Sequence, residues 1–124
     1  LVAKGVNEGS VNAGGDLRVF GSQSQTIYIR NPHLPRHLIE LGSLSNGAIA
    51  TSAMYFSKRD QQANHIINPL KQTYSGKHEP LIGSYSILAK ECVYADALTK
   101  ILALSRQQKH PCFSRYSAQA IQIY

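Results

Sequence analysis

Hydrophobic and polar positions alternate in several short stretches of the first half of the chain. Residues 9–13 and 16–20 read as two strands, joined through Gly14, Gly15 and Asp16, because glycines supply the positive φ that a tight hairpin turn requires. In "QTIYIRNP" Ile27 and Ile29 fall on one face and Tyr28 and Arg30 on the other, a third strand that Pro32 ends. "HLIELG" is ambiguous. A turn signal follows at Ser45, Asn46 and Gly47, and then a long strand from Ala48 to about Ser57.

Beyond a polar connector, "KRDQQAN", a short strand is predicted at His65 to Ile67, and "LKQTYSGKHEPLIG" reads as loop because turn residues recur without a period. "SYSILAK" resumes the strand pattern. The period then changes. Glu91 to about Ser105 is a helix whose wheel gathers Val93, Tyr94, Ala97, Leu98, Ile101, Leu102 and Leu104 on one half. Cys92, Asp96, Thr99 and Lys100 fall on the other, so Asp96 is expected off the main core. A short second helix in "PCFSRYSAQ" and a closing strand in "AIQIY" complete the reading. Strands followed by a helix on one face define an α+β class with a mostly antiparallel sheet.

A chain of 124 residues fits one small domain. The text starts at Leu1 as though at the end of a helix capped by Gly5, so the expectation is either a single domain or the C-terminal portion of a longer one. No apolar run approaches the ~20 residues of a membrane-spanning helix. Thirteen Lys and Arg against seven Asp and Glu give a net charge of +6, which would suit an anionic partner. The basic residues are spread evenly, without the clustering or interleaved aromatics of a nucleic-acid stripe, so no nucleic-acid partner is expected. Cys92 and Cys112 lack CxxC spacing and read as small hydrophobes.

Three groups carry candidate chemistry, each with an ordinary structural alternative. Gly14-Gly15-Asp16 can bring backbone N–H groups to a phosphate or flavin, or can be a plain hairpin turn. His65 can exchange a proton near neutral pH, or can be a satisfied strand histidine. Asp96 with Thr99 one turn later offers the hard oxygens that Mg²⁺ prefers, whereas Lys100 on the same face can simply pair with Asp96. His33 and His37 have metal-pair spacing, but Pro35 between them disfavours the helix it needs.

In order, "VNAGGDLRVFG", "IYIRNP", "LSNGAIATS", "HIINP" and "ADALTKILAL" resemble consecutive blocks of the ApbE-like family, the FAD:protein FMN transferases. The resemblance implies a mixed fold with FAD in a cleft, Mg²⁺ on its pyrophosphate, and FMN passing to a Ser or Thr hydroxyl of an acceptor protein as AMP leaves. It implies flavin contacts at Gly14, Gly15, Asp16, Ala50, Thr51 and Ser52. His65 becomes a proton-transfer residue, and Asp96 with Thr99 the metal site. It also suggests a cell-envelope or periplasmic location, with membrane association only through a preceding N-terminal anchor. The chain departs from the pattern at Asn68, where the family has Asp, and at Lys71 and Gln72, where it has Thr-Gly. Lys100 stands where the family's threonine falls, with Thr99 one place early, and a lysine can fill the cation's position electrostatically. Hence a second expectation, a non-catalytic flavin-binding or structural relative.

Overall fold

A computed structural model describes residues 1–53 and 83–124. The predicted strand at His65 to Ile67, the loop after it and the far end of the strand from Ala48 lie outside the described residues. Among those described are five strands: β1 (Gly9–Ala13), β2 (Asp16–Arg30), β3 (Leu38–Ala53), β4 (Ser84–Ala89) and β5 (Gln119–Ile123). They form one sheet in that order, each pair antiparallel, with helix α1 (Cys92–Ser105) and short helix α2 (Pro111–Arg115) between β4 and β5 in the chain. The α+β class is as read.

The β1–β2 hairpin turns at Gly14 and Gly15, with φ of 67° and 108°, a left-handed pair that any larger side chain would resist. Asn12 Oδ1 accepts from the Gly15 N–H at 3.0 Å and closes the turn. Beyond it the structure departs from the pattern reading. The strands expected at 16–20 and near Ile27 are one continuous β2, and Ser45-Asn46-Gly47 does not reverse the chain.

Val19 pairs with Gly47 and Ser24 with Ser45, so Phe20 to Gln23 together oppose Asn46 alone. Asn46 has a φ of 43° and Gly21 of 93°. Residues that tolerate positive φ serve a bulge as well as a turn, and here the same signal on β3 stands opposite a bulge of β2. The ambiguous "HLIELG" contributes the beginning of that strand.

Two apolar clusters lie on opposite faces of the sheet. On one, Ala48 and Ala50 of β3 and Tyr85, Ile87 and Ala89 of β4 pack against Ala95, Leu98, Leu102 and Ala103 of α1 and Phe113 of α2. On the other, Ile27, Ile29 and Ile49 gather with Leu17, Leu41 and Leu88. The helix has the predicted span and only part of the predicted face: Leu98 and Leu102 are in the core and Ile101 packs against it. Val93 and Tyr94 are 65% and 41% exposed, while Thr99 is fully buried. The alanines of β3 leave room for close approach by a stripe of small and aliphatic residues, and a hydroxyl on the sheet receives Thr99. Tyr94 instead meets Tyr116 with ring centroids 5.1 Å apart.

The second helix and closing strand form as expected. Pro111 starts α2, and His110 Nδ1 accepts from the Cys112 N–H at 3.2 Å as its cap.

Candidate functional site

Arg18 lies opposite Ala48, whose side chain faces α1, so the start of β2 presents Arg18, and two residues earlier Asp16, on the helix side. The resulting polar cluster contains Asp16, Arg18, Cys92, Asp96 and Lys100. Burial pushes the Asp16 carboxyl above its ordinary value, the Asp96 charge adds to that, and Lys100 opposes it. The Cys92 thiol is raised first by burial and then by Asp16, with Arg18 opposing and Asp96 adding to the rise, a direction that favours thiol over thiolate.

Arg18 is fixed on the bulge. Its Nη1 donates to the Val19 carbonyl and, at 3.0 Å, to that of Gly47, while Nη2 donates to Asn46 Oδ1 at 2.9 Å.

On α1 the i, i+4 spacing brings the Lys100 ammonium onto Asp96, where it donates to Oδ1 and, at 3.1 Å, to the Asp96 main-chain carbonyl. That carbonyl also accepts from the Thr99 hydroxyl at 2.7 Å. Thr99 Oγ1 lies 2.9 Å from Ser52 Oγ on β3. Because Thr99 has one proton and gives it to Asp96, Ser52 is the donor between the two hydroxyls.

The expected site residues are therefore divided among three places. Asp16, Ser52, Asp96 and Thr99 converge on the α1 side. Ala50, expected as a cleft wall, is fully buried in the core beneath α1. Thr51 points to the opposite face, 2.8 Å from Ser86 Oγ, and with Gly14, Gly15, Leu17 and Tyr28 lines an open groove of about 650 Å³. The Gly15 N–H already serves Asn12 and is not free to bind phosphate. His65 lies outside the described residues. Sequence reasoning did not single out Arg18 or Cys92. The signal was present, since Arg18 alternates in phase with Asp16 and Cys92 precedes Asp96 by four.

Mg²⁺ takes near-octahedral oxygen ligands and needs carboxylate and hydroxyl oxygens turned toward it. Here Asp96 Oδ1 carries an ammonium, and the Thr99 hydroxyl faces the sheet and is bonded on both sides. Among the described residues no group of three or more His, Cys, Asp or Glu could hold a metal ion. The residues present do not fit a Mg²⁺ centre built on Asp96 and Thr99.

The order of the strands and the helix laid over β3 and β4 define an α+β fold built on one antiparallel sheet. The chain belongs to the ApbE family, which it matches over residues 1–123. Its fold is similar to that of a mutant of the flavin transferase ApbE from Vibrio cholerae, with a TM-score of 0.64 and 24% sequence identity. The match covers 98% of this chain and 40% of that one, so the chain spans less than half the length of that relative. No curated protein sequence matches the chain.

Proposed function

We propose that the chain forms part of an FAD:protein FMN transferase. In that reaction the hydroxyl oxygen of an acceptor Ser or Thr bonds to the FMN-side phosphorus of FAD. The bond from that phosphorus to the bridging oxygen breaks, AMP leaves with that oxygen, and the hydroxyl proton passes to a base. His65, which the resemblance matches to the family's histidine, is the candidate base. The main demand of such a transfer is to stabilise charge on the phosphoryl oxygens with fixed donors and cations. Among the described residues Lys100 is a cation suited to that role.

The observation that carries the reading is family membership over residues 1–123. Further support comes from the convergence of Asp16, Ser52, Asp96 and Thr99, drawn from three separate stretches of sequence, on one flank of α1. One observation favours a second reading, a flavin-binding relative without transfer: the Lys100–Asp96 pair stands where the family resemblance implies a metal ligand.

The test is to incubate the native protein containing this chain with FAD and a Ser- or Thr-bearing acceptor, and to measure the acceptor's intact mass. An added FMN supports transfer. FAD binding without an adduct supports the second reading, and absence of flavin binding by fluorescence titration refutes both. FAD is expected to bind more tightly than riboflavin, because the proposed contacts are to phosphate.

A further inference from the structure

The cation that the family resemblance implies and the residues around Asp96 disagree, and the disagreement is specific. We propose that the Lys100 ammonium takes the place of the divalent ion that the resemblance puts on Asp96 and Thr99, so that this site excludes Mg²⁺ and binds its phosphate-bearing ligand without metal. Only the identity of that ligand rests on the flavin reading.

Three features of the structure support the substitution. Lys100 is tethered one helical turn from Asp96 and bonds both its Oδ1 and its main-chain carbonyl, so the cation is held by the chain itself. An ammonium has three N–H donors, and two are used on Asp96, leaving one for a ligand oxygen. The Lys100 side chain is 44% exposed and that of Asp96 51%, so the pair is open to a ligand from solvent.

The remaining oxygen of a metal motif is also committed. Thr99 is fully buried, and its hydroxyl connects the Asp96 carbonyl to Ser52. An incoming divalent ion would meet the Lys100 ammonium directly on the Asp96 carboxylate. An exposed ion pair of this kind adds little to stability, so Lys100 can be changed with little risk to the fold.

The experiment uses Mn²⁺ as a paramagnetic probe of a Mg²⁺ site, in the native protein containing this chain. Wild type is expected to take up no Mn²⁺ at this site, as read by electron paramagnetic resonance. Lys100→Thr is expected to bind a single Mn²⁺, and Asp96→Asn added to it should abolish that binding. Lys100→Gln is the second variant if Lys100→Thr does not fold by circular dichroism.

Parallel FAD titrations should be insensitive to EDTA in wild type. In Lys100→Thr the affinity should fall about tenfold in EDTA, as for the loss of one charge-assisted hydrogen bond, and recover with Mg²⁺. Wild-type Mn²⁺ binding that is lost in Asp96→Asn overturns the proposal, and so does a folded Lys100 variant that gains no Mn²⁺. If neither wild type nor variant binds FAD, the flavin reading fails, and the Mn²⁺ result alone decides this inference.

Discussion

The Ser52–Thr99 contact ties β3 to α1 through two hydroxyls, and its energy can be separated into parts. Thr99→Val keeps the shape of the side chain and its β-branching, so packing and helix propensity change little. It deletes the acceptor of the Ser52 hydroxyl, whose Oγ lies 2.9 Å away. A buried donor left without a partner costs about 1–3 kcal/mol, and because Ser52 is only half-buried the expected cost is about 1–1.5 kcal/mol.

Ser52→Ala leaves the Thr99 proton bonded to the Asp96 carbonyl and should cost about 0.5–1 kcal/mol. In the double variant neither hydroxyl is stranded, so its cost should fall short of the sum of the two by about 1 kcal/mol. Equilibrium urea denaturation with an unchanged slope measures all four corners of the cycle. In thermal melts the coupling should correspond to roughly 4 °C. Single costs that add to within a few tenths of a kcal/mol would show that the hydroxyls do not bond each other.

Two further outcomes are expected. Gly83→Ala should destabilise by about 2–4 kcal/mol, since φ is 126° and a Cβ would lie 2.6 Å from the Ile123 carbonyl oxygen of β5. Gly14→Ala, at φ 67° with nothing within 4 Å, should cost only about 1 kcal/mol, and equal costs in the same denaturation assay would refute the steric argument. The Asp16 carboxyl, raised from 3.8 by burial and then by Asp96, favours its protonated form in the fold. Its contribution to stability is therefore fully present below pH 3.8 and is lost as pH rises through the raised value. Carboxyl-detected NMR should show Lys100→Met moving the Asp16 titration further upward, and a downward movement would place Lys100 away from Asp16.

Local signals were read correctly where one conformation satisfied them. Gly14-Gly15 between two alternating runs permits little but a hairpin, and the 3.6 period from Glu91 to Ser105 matches α1 within a residue. Asn46 was legible as a position of unusual φ, but a turn and a bulge make the same demand on the residue. Only the pairing of β2 on both sides of it decides between them. The helix face is legible only in part, at Leu98, Ile101 and Leu102, for a related reason. A wheel weighted by hydrophobicity turns Val93 and Tyr94 inward, whereas the sheet presents alanines and a hydroxyl, and these select Ala95, Thr99 and Ala103. A wheel carries no information about the surface it will meet.

The same limit explains the division of the candidate site. Ala50, Thr51 and Ser52 are consecutive, so a strand must send them to alternate faces, and no fold in which they form one strand can make all three side chains one wall. Parity alone requires the division, but which parity faces the helix depends on the register of β3 with β4, where Ala50 meets Ile87 and Ser52 meets Tyr85. That register seats Ala50 in the core and brings Ser52 to Thr99. Through the pairing of Arg18 with Ala48 it also turns Asp16 toward Asp96. A one-residue slip would instead turn Thr51 toward α1 and Asp16 to the open groove, dispersing the cluster. The acids on this flank are thus held together by strand register, set by the alanines that let the helix approach, and the site and the core depend on the same pairing.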